Sequence, residues 1–303
     1  MKVFVTGVGG QLGHDVMNEL AARGHHGVGS DLAPAYSGVQ DGTAVCSAPY
    51  VQLDITDAQA VARVLGDERP DAVIHCAAWT AVDAAEEAAN IPRVRAINAE
   101  GTRSIARSCR ELGCKLMYIS TDYVFDGQGE APWQPDCTDY APLNVYGQTK
   151  LEGELAVRAF AERFFIVRIA WVFGLNGKNF IRTMLGLGQT HDALRVVCDQ
   201  IGTPTYTLDL ARLLADMIET EKYGVYHATN EGGYISWAEF AEAIFEAAGM
   251  DVKVVPVTTA EYGASRAARP FNSRLDKAKL AESGFAPLPH WRDALGRYLK
   301  AIG

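Results

Sequence analysis

The sequence lacks a long uninterrupted run of apolar residues. Its longest apolar stretch, residues 164–174, contains Arg168 and is far shorter than the roughly 20 residues that a membrane-spanning helix requires. Near the N-terminus only three apolar residues follow Lys2 without interruption, too few for the core of a secretory leader. We therefore expect a cytoplasmic protein with no membrane partner.

Cysteine is scarce and scattered, with six residues and no C-x-x-C pair. Cys109 and Cys114 stand five residues apart, and that spacing matches no common zinc site. We expect reduced thiols that pack as small apolar side chains, with neither disulfides nor a structural metal. No pattern in the sequence requires a metal ion.

Positive charge is also in deficit, because 28 lysines and arginines face 37 aspartates and glutamates for a formal net charge of -9. A protein that binds nucleic acid needs cations to neutralise phosphates, so this balance argues against a nucleic-acid partner. Of the 303 residues 48% are apolar, which excludes an intrinsically disordered chain and suffices for one large domain or two modest ones.

Strand-like and helix-like segments alternate along the first part of the chain. Helices are predicted at 57–65, with Thr56 as the cap, at about 94–112, and at 144–160. This α/β alternation predicts a Rossmann-type, doubly wound parallel sheet with helices on both faces. Residues 1–175 are therefore expected to form a dinucleotide-binding domain.

The alternation loosens after residue 175. Short strands and helices are still predicted there, at 180–187, 194–197, 208–219, 225–227, 237–248 and 291–301. No linker rich in proline or serine separates the two parts. We expect residues 176–303 to form mostly a smaller α/β lobe that binds the substrate and is interwoven with the first domain.

A glycine-rich turn joins the first predicted strand, residues 2–6, to the first predicted helix. Such a turn is tight, lets the backbone approach a pyrophosphate, and directs the free N–H groups of a helix N-terminus at the anion. The G-x-x-G-x-x-G spacing between a strand and a helix predicts dinucleotide binding. The predicted binding residues of the turn are Gly7, Gly10, Gln11, Leu12 and Gly13.

Two aspartates follow the second and third predicted strands. Asp31 lies 18 residues after Gly13, where a carboxylate accepts hydrogen bonds from the adenosine ribose and repels a 2′-phosphate. No lysine or arginine occurs between Asp31 and Arg63 to bind that phosphate, so NADH is favoured over NADPH. Asp54 and the neighbouring Ile55 are expected beside the adenine. Each aspartate has a plainer alternative as the cap of its own turn.

Tyr146 and Lys150 form a Y-x-x-x-K pair on one predicted helix. Residues four apart share a helix face, and a lysine ammonium beside a phenol lowers the pKa of the phenol by stabilising phenolate. The tyrosine then exchanges a proton with a substrate oxygen near neutral pH. Thr121, just after the strand predicted at 115–120, supplies a hydroxyl at the same edge of the sheet.

Together these motifs resemble the extended short-chain dehydrogenase/reductase superfamily, and within it the sequence is most similar to the dTDP-4-dehydrorhamnose reductases. The similar stretches follow the order seen in that family and cover nearly the whole chain. They are residues 10–13, 77–83, 120–125, 142–150, 171–172, 199–205 and 269–275.

The resemblance implies reduction of the C4 ketone of dTDP-6-deoxy-L-lyxo-4-hexulose to dTDP-L-rhamnose by NADH or NADPH. Tyr146 would donate a proton to the forming alkoxide, Lys150 would bind the nicotinamide ribose, and Thr121 would hydrogen-bond the sugar oxygen. A homodimer is also implied. Some relatives hold a divalent cation at a dimer interface, for which Asp15 is a candidate ligand here.

The resemblance places further residues around the ligands. On the cofactor side it implies Ala77, Ala78, Trp79 and Thr80. On the substrate side it implies Thr121, Asp122, Trp171 and Arg274. Arg269 and Arg274 have the geometry to pair with a diphosphate, with a structural ion pair as the alternative. Trp171 has an alternative as a core aromatic at a strand end.

Three other functions stay open at this point. Nucleotide-sugar 4,6-dehydratases and epimerases have the same fold, but dehydratases resemble a Thr-Asp-Glu sequence where this chain has Tyr123, so the base for elimination is missing. A reductase of another nucleotide-linked 4-keto sugar is the second alternative. A non-catalytic regulatory subunit is the third, and loss of Tyr146 or Lys150 would be its signature.

Overall fold

The first strand shows why this chain forms a sheet that is covered on both faces. In the computed structural model, which describes residues 1–263 and 265–303, Phe4 packs into the apolar core on one side of that strand. Val3 and Val5 pack into the core on the other side, because successive side chains of a strand point to opposite faces. Helices must therefore cover both faces.

The strands of the described residues are, in chain order, β1 (Lys2–Thr6), β2 (His26–Asp31), β3 (Tyr50–Gln52), β4 (Ala72–His75), β5 (Lys115–Thr121), β6 (Phe164–Ile169), β7 (Val172–Phe173), β8 (Ala193–Val197), β9 (Ile201–Gly202), β10 (Thr205–Tyr206), β11 (Gly224–His227), β12 (Ile235–Ser236) and β13 (Lys253–Val257). Seven of them, all parallel, form the central sheet in the order β11-β6-β5-β4-β1-β2-β3. The order reverses between β1 and β4, which opens a crevice at the carboxyl ends of these strands. The predicted Rossmann-type, doubly wound sheet is confirmed.

The helices are α1 (Gln11–Ala22), α2 (Ala58–Glu68), α3 (Val82–Ala85), α4 (Ile91–Arg95), α5 (Thr102–Leu112), α6 (Val145–Phe160), α7 (Phe180–Gly188), α8 (Thr207–Ile218), α9 (Trp237–Ala248), α10 (Thr259–Tyr262), α11 (Ala278–Glu282) and α12 (Trp291–Ile302). The apolar residues of α1 and α8 cover one face of the sheet. Those of α2, α5 and α6 cover the other face. No described helix has both the length and the apolar composition that crossing a membrane would need.

The start of α2 differs from the prediction. Thr56 was expected to cap this helix, but the carboxylate of Asp57 does so, accepting hydrogen bonds from the backbone N–H groups of Gln59 and Ala60. The Thr56 hydroxyl instead donates to Asp54 at 2.7 Å. Asp is at least as good an N-cap as Thr, and Asp54, two residues before Thr56, engages the threonine.

The helix predicted at about 94–112 is interrupted in the middle. Helix α4 passes into a π-helical segment at Ala96–Gly101, which is followed directly by α5. This wider turn carries Asn98, whose side chain donates to the Thr149 hydroxyl of α6 and to the carbonyl of Trp79. The π-helical turn therefore links the loop after β4 to the helix that carries the Y-x-x-x-K pair.

The C-terminal part of the chain returns to the central sheet. The strand predicted at 225–227 was expected in the smaller lobe, but β11 pairs with β6 at the edge of the main sheet instead. Helix α8 likewise packs on α1. The reason is burial, because Val225 and Tyr226 enter the cores on the two faces of the sheet. A separate apolar core joins α7, α9 and α12 with the pairs β8–β13 and β7–β10.

Candidate active site

A cavity of about 920 Å³ opens at the carboxyl ends of β1, β4, β5 and β6, where ligands bind in open parallel sheets. Most of the residues predicted for the site contribute to its wall. They are Gly7, Gly10, Gln11, Leu12, Gly13, Asp31, Asp54, Ile55, Ala77, Ala78, Thr80, Thr121, Asp122, Tyr146, Lys150 and Trp171. We call this space the central cavity.

The glycine turn between β1 and α1 is too tight for side chains. Gly7 has φ +73°, and a Cβ there would lie 2.6 Å from the backbone nitrogen of Ala77. A Cβ on Gly13 would lie 2.3 Å from the carbonyl oxygen of Gly7. Helix α1 then begins after Gly10 with no side-chain cap. Its first N–H groups thus face the cavity without a side-chain partner and can bind an anion.

The Asp31 carboxylate accepts two backbone hydrogen bonds, one of them from the glycine turn. Its Oδ2 accepts the Gly9 N–H at 2.8 Å, and its Oδ1 accepts the Leu32 N–H at 2.7 Å. A Cβ on residue 9 would lie 2.9 Å from Oδ2, so Gly9 allows the carboxylate to approach the turn. A negative charge is thereby fixed beside the glycine turn, at the end of the second strand.

Two further loops contribute to the cavity wall, one with Asp54 and one with Ala77. Asp54 lines the cavity while its Oδ1 accepts hydrogen bonds from Thr56, so it acts as a cap of its turn as well. Ala77 donates its N–H to the Thr6 hydroxyl. Trp79 lies outside the cavity wall, and its indole N–H donates to the carbonyl of Ala81 at 3.0 Å.

Helix α6 carries Tyr146 and Lys150 into the cavity. Asn144 caps this helix, accepting the Gly147 N–H at 2.8 Å. Lys150 is buried, and its Nζ donates to the carbonyl of Ile119 at 2.6 Å. Burial lowers the pKa of Lys150 to about 7, against the smaller opposing effect of the Glu154 carboxylate. This ammonium therefore titrates in the physiological pH range.

The pKa of Tyr146 departs from expectation. Lys150 was expected to lower it, but burial raises it above the ordinary value of a phenol, and the nearby Thr121 hydroxyl only partly offsets the effect. The expectation is wrong for this structure because removal of the phenol from water outweighs the effect that lowers its pKa. Tyr146 is consequently a neutral phenol at pH 7, which is the form that donates a proton.

Thr121 and Asp122 end β5 beside the phenol. The Thr121 hydroxyl donates to Asp122 Oδ1 at 3.0 Å. Burial raises the pKa of Asp122 to about 6, with smaller lowering effects from Ser273 and Thr121. Asp122 Oδ2 and the Ser120 hydroxyl are both buried with no hydrogen-bond partner among the described residues. Buried polar atoms without partners are costly, so these two are suited to receiving a polar ligand.

The comparison with known proteins covers the whole chain. A family model described as RmlD substrate binding domain matches residues 1–303. The chain belongs to this family. The dTDP-4-dehydrorhamnose reductase of Streptomyces griseus, a similar relative, is 39% identical over 305 residues, which cover 99% of this chain and 93% of that protein.

Solved structures of RmlD relatives superpose closely. A dTDP-4-dehydrorhamnose reductase from Clostridium acetobutylicum matches with a TM-score of 0.89 at 39% identity, covering 100% of this chain and 99% of that chain. The enzyme of the same name from Bacillus anthracis, in complex with NADP, matches with a TM-score of 0.87 at 38% identity and the same coverage. The resemblance inferred from the motifs is thus confirmed.

Some cavity residues of this RmlD-family chain were missed from the sequence. The C-terminal lobe contributes Phe180 and Trp237, and the first domain contributes Arg93, Ser120 and Tyr123. Helical periodicity indicated only that residues near 180 and 237 begin helices, and both rings sit at helix starts. No pattern within the sequence could show that these two starts converge on Trp171.

The two arginines considered for a diphosphate differ in position. Arg269 lines the cavity and pairs with Asp83, with Nη2 2.6 Å from Oδ2. Arg274 lies outside the cavity wall, and its guanidinium donates to Asn272 Oδ1 at 3.0 Å. Within the described residues, Arg269 is therefore the closer of the two to any ligand in the cavity.

Asp15 lies in the interface between α1 and α8 of this RmlD-family fold. The Thr207 hydroxyl donates to its Oδ2 at 2.5 Å. Burial raises the pKa of Asp15 to about 6. Across residues 1–263 and 265–303, no group of three or more His, Cys, Asp or Glu side chains is placed to hold a metal ion.

Proposed function

We propose that this protein reduces the C4 ketone of dTDP-6-deoxy-L-lyxo-4-hexulose to dTDP-L-rhamnose with a nicotinamide dinucleotide. The observation that carries the proposal is the placement of a neutral Tyr146 phenol and the Thr121 hydroxyl in one cavity with the glycine turn. Membership of the RmlD family and similarity to named dTDP-4-dehydrorhamnose reductases support the same reaction.

The residues around the glycine turn fit a dinucleotide. Side chains at Gly7 or Gly13 would collide with backbone atoms of the protein, so the turn can be this tight only with glycine at both positions. The open N-terminus of α1 suits a pyrophosphate, and the Asp31 carboxylate suits ribose hydroxyls. When bound, the dinucleotide supplies the hydride.

The chain's own residues provide the rest of the chemistry. Tyr146 donates its phenolic proton to the substrate oxygen as negative charge develops there. The Thr121 hydroxyl turns its one proton from Asp122 Oδ1 to the same oxygen, and this second hydrogen bond stabilises the charge. Lys150 binds the nicotinamide ribose and supplies positive charge beside the phenolate that forms. Asp122 and Trp171 contact the sugar.

The proposed cofactor preference is for NADH. The Asp31 carboxylate is held in place by two backbone N–H groups and cannot easily turn away from a 2′-phosphate. Two like charges in contact cost several kcal/mol. The Bacillus anthracis relative was solved in complex with NADP, and dissociation constants of this chain for NADH and NADPH test the preference.

Elimination and epimerisation are less well supported than reduction. At position 123, where dehydratases would have a carboxylate, the Tyr123 ring packs edge-on against Tyr146 with centroids 5.4 Å apart. Burial raises the pKa of Tyr123 above its ordinary value, so it stays a protonated phenol at neutral pH and cannot take up the proton of an elimination. The presence of both Tyr146 and Lys150 argues against a purely regulatory role.

The experiment that tests the proposal is reduction by the purified protein, followed by loss of reduced-nicotinamide absorbance. NADH and NADPH are each tested with dTDP-6-deoxy-L-lyxo-4-hexulose and with a uridine-linked 4-keto sugar, and mass spectrometry identifies the product. We expect oxidation of NADH with the dTDP sugar and a product two hydrogens heavier. Tight cofactor binding without any oxidation would refute the reductase function, and isomerisation without oxidation would indicate an epimerase.

A further inference from the structure

Two tryptophans form an aromatic wall on the C-terminal side of the central cavity. The rings of Trp171 and Trp237 are stacked, with centroids 3.6 Å apart and planes inclined by 13°. Both line the cavity. Aromatic pairs generally favour offset or edge-on arrangements with centroids about 4.5–7 Å apart. This closer, face-to-face overlap therefore reflects how the surrounding structure holds the two rings.

The backbone of Trp171 is in an unfavourable conformation. Its φ is 51°, in the left-handed region that residues other than glycine rarely adopt. A residue held there costs on the order of 1–3 kcal/mol, so neighbouring groups must impose the conformation. The carbonyl of Trp171 accepts the Thr205 N–H at 3.0 Å, which fixes the backbone on one side. This hydrogen bond does not hold the Trp171 indole, which must be fixed by contacts of its own.

Trp237 is firmly anchored. It is the first residue of α9, directly after Ser236, which forms a reciprocal capping box with Glu239. The Phe180 ring packs against Trp237 with centroids 4.5 Å apart. The capped helix start and this ring together leave Trp237 little freedom to turn away from Trp171.

Gly202 completes the arrangement. Strand β12, which precedes Trp237, pairs with β9, and this pairing brings Gly202 beside Trp171. A Cβ at residue 202 would lie 2.8 Å from Cε2 of the Trp171 indole. The absence of a side chain there leaves the space that the stacked indole occupies.

We propose that Trp237 is a positioning residue: it holds the Trp171 indole in one plane, and so fixes the apolar surface that places the sugar ring of the nucleotide-sugar before Tyr146. This inference rests on the proposed function, because the nucleotide-sugar is the ligand that Trp171 contacts. A sugar ring offers an apolar C–H face that packs on a flat indole. Trp237 is on α9, whereas Lys150 and Tyr146 are on α6, so we expect a change at Trp237 to leave the ammonium and the phenol in place. The proposed role of Trp237 therefore concerns substrate binding.

The stack itself is measurable without any substrate. Two indoles in such close contact give an exciton couplet in circular dichroism, which Trp237→Leu and Trp171→Leu should each abolish. Trp237→Phe keeps a flat ring in the same place. Trp133→Leu is the matched control, because Trp133 stacks on Phe125 at 4.4 Å and lies outside the cavity wall. Thermal melting and NADH affinity check that each variant is folded.

Kinetics then test the positioning role. Loss of a stacking contact is expected to raise KM for the nucleotide-sugar by roughly tenfold in Trp237→Leu, with kcat and NADH affinity close to those of the wild type. Trp237→Phe should recover most of the loss. In a Trp171→Leu background, the Trp237→Leu change should cause no further rise in KM, because Trp237 acts through Trp171.

Three kinetic results would overturn the proposal: an unchanged KM in Trp237→Leu, multiplicative effects in the double variant, or an equal rise in KM for Trp133→Leu. Persistence of the couplet in Trp237→Leu would show that the stack is absent in solution and would overturn it as well. Failure of the proposed function is separate, because the wild-type protein would then turn over no 4-keto sugar whatever the spectra show.

Discussion

The Lys150 ammonium lies 4.1 Å from the centre of the Tyr118 ring. The hydroxyl of the same tyrosine donates to the backbone carbonyl of Lys150 at 3.2 Å. Tyr118 is fully buried on β5, and Gly153 leaves room for its hydroxyl, since a Cβ at residue 153 would lie 2.3 Å from it. One side chain of the sheet therefore contacts both the charge and the backbone of the proposed catalytic lysine.

Tyr118 should raise the charged fraction of Lys150 at neutral pH. Burial lowers the pKa of Lys150 to about 7, and the face of an aromatic ring stabilises a desolvated cation by about 2 kcal/mol. Removing the ring in Tyr118→Leu should lower that pKa further, by about 1.5 pH units. As pH rises, NADH binding and kcat/KM should then begin to decline at a lower pH than in the wild type.

The control for this change is Tyr118→Phe, which keeps the ring and removes only the hydroxyl. Its pH profile should match that of the wild type. If the leucine and phenylalanine variants shifted equally, the hydroxyl contact to the helix would be responsible and the cation–ring contact would not. Measuring NADH affinity against pH keeps the result independent of the sugar substrate.

Tyr146→Phe tests the proton donor. The change removes one hydroxyl and keeps the ring, so kcat should fall by roughly 10²–10⁴, the usual contribution of general acid catalysis. The dissociation constant for NADH should stay close to the wild-type value. Tyr262→Phe serves as control, because the Tyr262 side chain is exposed. Near-normal kcat in Tyr146→Phe would mean that another group delivers the proton.

The elements that bear the site were predictable where the signal was local. The helix at 237–248 begins and ends as predicted, since Ser236 and Glu239 form a capping box at one end and Gly249 ends it in a left-handed conformation. The glycine turn was predictable because close backbone approach excludes other residues. Both signals depend on residues that are neighbours in the sequence.

Other features depend on distant contacts and could not be predicted. Trp171 and Trp237 meet only because β9 pairs with β12, and nothing near either residue specifies that pairing. The pKa of Tyr146 was expected to fall because the i,i+4 lysine is visible in the sequence, whereas burial by other segments is not. The position of β11 at the edge of the central sheet was hidden for the same reason.

Asp31→Asn tests cofactor choice. The substitution removes the charge, keeps the size of the side chain, and retains an oxygen that can accept one of the two backbone N–H groups. The repulsion of a 2′-phosphate disappears, so the affinity for NADPH should rise relative to NADH by tenfold or more, as expected for relief of about 1.4 kcal/mol. Dissociation constants for both dinucleotides measure the ratio.

The matched control is Asp54→Asn on the other side of the cavity. Asp54 is expected near the adenine, which both dinucleotides share, so the change should affect both affinities alike. If Asp31→Asn left the ratio of NADPH to NADH affinity unaltered, Asp31 would be no more than the cap of its turn. The NADH preference would then need another origin.

Asp15→Asn tests the cost of a buried carboxylate. Burial raises the pKa of Asp15 from 3.8 to about 6, with Asp41 and Asp209 adding smaller effects in the same direction. Because the folded pKa is the higher one, the native protein takes up a proton as pH falls through 6, and it gains stability relative to pH 7. At pH 7 the ionised carboxylate should cost on the order of 3 kcal/mol.

The asparagine variant avoids that cost, and its oxygen can still accept the Thr207 hydroxyl. Its free energy of unfolding should therefore exceed that of the wild type at pH 7, with the advantage about 1 kcal/mol smaller at pH 5 because Asp15 is then mostly protonated in the folded wild type. Urea unfolding at both pH values measures this, and the exposed Asp67→Asn serves as control. Equal destabilisation at both pH values would contradict the argument, since it would mean that the ionised carboxylate stabilises the contact between α1 and α8.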